Sequence, residues 1–244
     1  MKTNNEYNSF NLKQIYDPNK NFFNIAGKAD LTNSKVNISK LNYVKNDGKI
    51  SEIDFNFNFI PKKYTNLTKF IFKSDKTIIH IKNLKLNKNF ETEDFKELKI
   101  KTFNNGIKNN DFVVKKSNKV DVSGNIFDSE PLLKSLFKKD DKKIFSKKFS
   151  SEIKINFDKT ITGTNDDVTN FGMIASINSG SFDKLSLKGN FSENEIIEMS
   201  IYQIDNNKKT LQVISDRARP FIKNFDFIKG FEDGKLEYES NISK

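Results

Sequence analysis

Few residues in this chain could do chemistry. The one histidine, His80, lies between Ile79 and Ile81. Successive strand side chains point to opposite faces, so His80 falls on the polar side of that strand. A lone imidazole cannot build a histidine metal cluster, and no Ser or Asp stands where it would partner it. It reads as an exposed strand residue. Asp140-Asp141 and Asp166-Asp167 are adjacent carboxylates in turn-like segments. Neighbours that face opposite ways do not make an acid–base dyad, so both pairs read as solvated loop carboxylates. The absence of cysteine excludes disulfides, thiolate metal sites and cysteine nucleophiles. Ser181 follows Gly180 without the spacing of a nucleophile elbow, and no phosphate loop or dinucleotide fingerprint occurs. No enzymatic activity, cofactor or metal is expected.

Charge points to a partner only weakly. The formal net charge is +10, yet all but Arg217 and Arg219 of the 42 cationic residues are lysines. Arg is the favoured residue for bidentate contacts to phosphates and bases. The lysines are scattered among Asp and Glu, as on solvated faces. Nucleic acid is therefore not an expected partner, and a polyanion-binding module is the weakest alternative. No apolar run approaches the roughly 20 residues of a membrane span, and residues 1–10 do not form a signal peptide.

The elements that must position any site show in a two-residue beat. Ile53, Phe55, Phe57 and Phe59 alternate with Asp54, Asn56 and Asn58, which makes a strand greasy on one side and wet on the other. The beat returns at Ile79 and Ile81, at Ile153, Ile155 and Phe157, at Leu185, Leu187 and Phe191, and at Met199 and Ile201. Phe, with 24 copies and no Trp beside it, dominates the apolar set. This composition suits thin, half-buried sheets better than a doubly covered parallel sheet. The fold class is mainly β: an elongated, curled antiparallel sheet, groove-like, with two short capping helices.

Turn signals organise the chain. Residues 1–24 are poorly patterned. Residues 25–127 are rich in hairpins, and Asn46-Asp47-Gly48 makes 36–59 read as one of them. Pro61 stops the strand before it, and a phase change at Asn83 predicts a bulge or bend. Residues 128–143 form a short helix and a charged loop. Asp128 or Ser129 caps the helix, Pro131 lies in its first turn, and Leu132, Leu133, Leu136 and Phe137 form its stripe. Residues 144–244 form a second β half, with an Asn206-Asn207 turn. Its helix, near 216–226, is capped by Ser215 or Asp216 and carries Phe221, Ile222 and Phe225. Gly234 to Tyr238 begin a strand with no partner after it, which suggests a fragment.

The alternating apolar residues allow three outcomes: the core of a closed sandwich, a groove holding lipid, or interfaces to further repeats. From pattern alone the sandwich leads.

Four segments carry a resemblance. Gly124, Phe127, Asp128 and Pro131-Leu132-Leu133 follow a G-x-x-F/I-D-x-x-P-L-L step, and Leu187 to Phe191 an L-x-G-x-F strand. Residues 213–225 follow an S-D-D-x-G-x-x-L-R-x-L helix, with Arg217 at its second acidic position and Pro220 inside it. Residues 231–237 follow a G-G-x-L-x-L strand, with Asp233 for a Gly. In this order and spacing, residues 120–240 resemble the AsmA-like envelope proteins of Gram-negative bacteria, the YhdP–TamB group. The resemblance implies a β-structure rolled into an open, apolar groove that carries phospholipid acyl chains between inner and outer membranes. It also implies a periplasmic site, an inner-membrane tether outside this chain, and partner proteins in either membrane. On that basis the groove residues are Ile53, Phe55, Phe57, Phe59, Ile79, Ile81, Ile153, Ile155, Phe157, Leu185, Leu187, Phe191, Met199 and Ile201. The alternative is a purely structural β-repeat, such as a scaffold or adhesin domain.

Overall fold

The structure is a computed structural model that describes residues 2–3, 6–7, 9–136, 148–204, 208–222 and 233–243. Phe137, the charged loop at 138–143, Asn206-Asn207, Phe225 and Phe231 lie outside the described residues. The chain is mainly β with two short helices, and its sheet does not close into a barrel. It divides into two units, Met1–Lys116 and Ser117–Lys244.

The N-terminal unit contains β1 (Lys2–Thr3), β2 (Glu6–Tyr7), β3 (Phe10–Asp17), β4 (Phe22–Asp30), β5 (Val36–Ile38), β6 (Tyr43–Lys45), β7 (Ser51–Ile60), β8 (Tyr64–Ser74), β9 (Thr77–Asn87), β10 (Thr92–Asp94), β11 (Glu97–Asn104) and β12 (Ile107–Lys116). The main sheet runs β3-β4-β7-β8-β9-β11-β12, antiparallel throughout, with β10 beside β9. The weakly patterned start of the chain thus supplies β3 and the beginning of β4.

Register makes the two-residue beat cumulative. Ala29, Ile53, Phe72, Ile79 and Ile100 face one another across successive strands, and so do Phe55, Phe70, Ile81 and Leu98. Directly opposed residues share a face, so the rows add up to one apolar surface. Asn83 adopts a left-handed φ of 51° where the apolar phase of β9 changes, as its sequence predicts. A bulge in β8 brings Leu67 opposite Phe57, with the Thr68 hydroxyl donating to the Asn56 carbonyl at 2.9 Å.

Residues 36–59 are not a hairpin. β5 and β6 pair with each other across a 3-10 turn (Ser39–Leu41), whereas β7 pairs with β4 and β8. The Asp47-Gly48 turn forms, with φ 76° at Gly48, but it leads out of this excursion. The physical reason is the apolar match of β4 to β7, which frees β5 and β6 to lie over the sheet. Tyr43, 3% exposed, meets Phe72 edge-on at 5.9 Å. Leu31, Val36, Ile38 and Leu41 pack around that contact with Ile53, Phe70, Ile81 and Ile100. The excursion is fixed by buried polar groups. The Lys45 ammonium donates to the Leu31, Thr32 and Ser34 carbonyls at 2.8, 3.0 and 2.7 Å. The Asn109 and Asn110 amides both donate to the Leu41 carbonyl.

The C-terminal unit contains β13 (Val120–Asp128), α1 (Glu130–Leu136), β14 (Ser151–Ile161), β15 (Val168–Asn178), β16 (Ser181–Ser192), β17 (Glu195–Gln203), β18 (Lys208–Ser215), α2 (Arg219–Ile222) and β19 (Leu236–Ser243), the strands lying in chain order. The expectation of a purely antiparallel sheet fails at one pair: β13 and β14 are parallel. A parallel return needs a crossover rather than a tight turn, and α1 lies within that connection. β19 pairs with β18, so the terminal strand signal does have a partner. The Asp128 carboxylate accepts the Glu130 N–H at 3.2 Å at the start of α1, while the Ser129 hydroxyl donates to the Ile161 carbonyl. Leu132, expected in the buried stripe, is 43% exposed. α2 begins only at Arg219, with Pro220 in its first turn, where its missing N–H costs nothing.

Replacing Tyr43 by Ala removes the centre of the cover and should destabilise the N-terminal unit by about 3–5 kcal/mol. Urea unfolding followed by circular dichroism measures this as a lower midpoint at unchanged slope.

Candidate functional site

Among the described residues, the N-terminal apolar face is covered at one end, by the β5–β6 excursion. Ile79 is buried, and Ile53 and Ile81 are half-buried, beneath the β5–β6 excursion. Phe55, Phe57 and Phe59 are half-buried farther along β7. These rings form a stripe: Phe55–Phe57 stack at 5.9 Å, Phe23–Phe59 at 4.6 Å and Tyr16–Phe23 at 4.4 Å, and Phe57–Phe59 lie tilted at 6.0 Å. Phe10 stacks on Phe55 at 6.4 Å. Ring pairs at such separations stabilise beyond their buried area, so the aromatics support one another where no second layer covers them. A side chain at Gly27 would meet the Phe55 ring at 2.8 Å and the Asn11 carbonyl at 2.9 Å. Only glycine lets that ring lie across β4.

Phe10, Leu12 and Tyr16, between 47% and 58% exposed, extend the stripe onto β3. Sequence reasoning missed these and Phe23, although their own alternation carried the signal. Exposed, contiguous apolar patches are the kind of surface found at interaction sites, ligand grooves and aggregation-prone faces.

In the C-terminal unit the rows are Ile153–Ala175–Leu185–Ile201 and Ile155–Met173–Leu187–Met199. Ile153, Phe157 and Leu185 are buried, and Ile155, Leu187, Met199 and Ile201 are half-buried. Phe191 sits at an irregularity in the β16–β17 pairing, with the Arg217 guanidinium 5.7 Å from its ring centre. Ten of the fourteen expected residues thus lie in these rows on their own sheets, and Phe57, Phe59, Phe157 and Phe191 are the other four; the buried ones are core.

A charged clamp closes one end of the C-terminal sheet. Arg217 donates to Asp166 at 2.6 Å and to Glu195 at 2.5 and 3.1 Å. Arg219 lies 3.9 Å from Asp166 and 3.5 Å from Asp233, and Lys235 pairs with Asp216 at 2.6 Å. The expectation that Asp166 is a solvated loop carboxylate is corrected: it is 8% exposed because the guanidinium draws it in. Asp167 pairs with Lys159 at 2.8 Å, and Asp140-Asp141 lies outside the described residues. Ser215 and Asp216 do not cap α2. Asp216 accepts the Ile196 N–H at 2.8 Å, and the buried Ser215 hydroxyl donates to the Arg217 carbonyl. Both finish the strand ladder because α2 starts later than its sequence suggests. The Arg217 bonds hold the Glu195 carboxyl below its ordinary range, and Lys235 does the same for Asp216. These charges are engaged with one another in ion pairs that tie the Asp166 loop to the start of β17 and to the segment before β19.

His80 is half-buried rather than exposed. Burial, and then the nearby Lys82, favour its neutral form. Among the described residues no cluster of His, Asp or Glu is arranged to hold a metal ion, and no helix is long and apolar enough to cross a membrane. No family model, no curated protein and no solved structure matches the chain.

Replacing Arg217 by Leu leaves Asp166 buried without its guanidinium. This should cost about 1–3 kcal/mol in urea unfolding, and Asp166→Asn added to it should recover part of the loss. For acid stability, Glu195 and Asp216 bind protons less readily when folded. Their contribution is present in full above about pH 4.3, the ordinary carboxyl range, and is lost as pH falls through their folded values. His80 also resists protonation when folded, so its contribution is full above about pH 6.5 and declines below it. A urea midpoint measured against pH should fall in both windows, and His80→Gln should flatten the upper one.

Proposed function

We propose that the uncovered aromatic face of the N-terminal unit holds phospholipid acyl chains, and that the protein works as a non-enzymatic β-groove segment in lipid transport within the cell envelope. The observation that carries this reading is the aromatic stripe of Phe55, Phe57, Phe59, Phe23 and Tyr16, half-buried on β7 and β4 and exposed at Tyr16, outside the cluster packed under the β5–β6 cover. From β3 to β9 the face crosses four inter-strand steps, about 19 Å at the usual spacing. Each methylene buried there contributes about 0.8 kcal/mol, so a chain can be held without any polar contact. The likeness of residues 120–240 to the AsmA-like proteins supports the same reading, and with it a periplasmic setting and partners in the two membranes. A second reading, a structural β-repeat, is favoured by the buried rows of the C-terminal unit.

Native mass spectrometry of protein purified from a lipid-rich host separates the two. The groove reading expects co-purified phospholipid, and expects Phe57→Asp to lose most of it while strand content in circular dichroism is kept. Lipid-free parent protein, or a Phe57→Asp variant that simply unfolds, would support the structural reading instead.

A further inference from the structure

β3 is the outermost strand of the N-terminal sheet, and among the described residues it pairs only with β4. The Asp30 N–H donates to the Ser9 carbonyl at 3.0 Å. Hydrogen-bonded and non-bonded pairs alternate along an antiparallel ladder. Asn11, Lys13 and Ile15 therefore spend their backbone groups on β4, while Phe10, Leu12, Gln14 and Tyr16 turn theirs to the free edge. An eight-residue edge with exposed apolar side chains is a template for strand addition.

Its charges select the partner. Lys13, opposite Ala26, projects from the reverse face and is exposed. Two copies of β3 laid antiparallel in the register that pairs all four outward residues would set Lys13 against Lys13. β19 is the outermost strand of the other unit and pairs only with β18 among the described residues. Leu236 and Tyr238 lie opposite Ser215 and Val213, while the exposed Glu237 and Glu239 lie opposite Ile214 and Gln212 on the reverse face. Two copies of β19 laid antiparallel would bring Glu239 of one strand to a diagonal position beside Glu239 of the other, on one face. The backbone groups of Leu236, Tyr238, Ser240 and Ile242 are spent on β18. In a parallel pair an outward-bonding residue lies opposite an inward-bonding one. β3 laid parallel to β19 therefore places apolar beside apolar and Lys13 beside Glu237 or Glu239, and opposite charges across strands attract.

We infer that β3 of one molecule adds to β19 of a second copy of this chain, extending the sheet by a head-to-tail contact between unlike edges. Such a contact uses different surfaces on the two molecules, so each still presents one of the two edges for another.

Sedimentation velocity over a wide concentration range tests this with the whole chain. The parent should associate reversibly, and less so at high salt. Lys13→Glu alone, and Glu237→Lys with Glu239→Lys, should each weaken association by about tenfold or more. All three positions are exposed, so folding is not at stake. Mixing the two variants should restore association, because the β3 of each again meets opposite charge on the β19 of the other. A parent that stays monomeric overturns the inference. So does association indifferent to either charge reversal, or reversal variants that do not recover when mixed.

Discussion

Because β7 sends Ile53, Phe55, Phe57 and Phe59 to one side, each strand that pairs with it in register must supply more apolar surface to that side or break the row. β4, β8, β9 and β11 nearly all supply it. Where the row would fail, the backbone yields: Gly27 makes room for a ring, Thr68 absorbs a bulge, and Asn83 turns left-handed to change the phase of β9. The outcome is a broad apolar face whose cover comes from one short excursion.

That excursion shows what full cover looks like here. Tyr43 lies over Phe72 and Ile79, and the buried Lys45 ammonium is satisfied by three carbonyls rather than by a carboxylate. A charge buried this way is tolerable only because each of its donors finds an acceptor. Farther along, the rings of Phe55, Phe57, Phe59 and Phe23 pack on one another and on Phe10 and Tyr16. The C-terminal unit handles the same pattern differently, burying Ile153, Ala175 and Leu185 and closing one end with the Arg217 clamp. Arg217, Asp166 and Glu195 are engaged with one another there, as are Asp216 and Lys235.

Much of this was legible in the sequence. The beat at 53–59 places four side chains on one face whatever the neighbours are, and Pro61 and Asn83 mark their boundaries through backbone geometry alone. Partner choice was less legible. Asp47-Gly48 announces a turn, but the competition between β4 and residues 36–45 for the edge of β7 depends on long-range packing. The parallel β13–β14 pair was hidden because both strands alternate as antiparallel ones do. Asp166 was misread since its burial depends on Arg217, a residue 51 positions away. Ser215 and Asp216 fit a helix-cap signature, yet Pro220 sets the start of α2 a turn later.

The central claim, that the stripe on β3, β4 and β7 receives acyl chains, is tested most directly by photo-crosslinking with a phospholipid that carries a diazirine in its acyl chain, followed by peptide mapping. Labels concentrated on Tyr16, Phe23, Phe55, Phe57 and Phe59 are the predicted result. Labels confined to the lysine-rich reverse face, or no labelling at all, would contradict it.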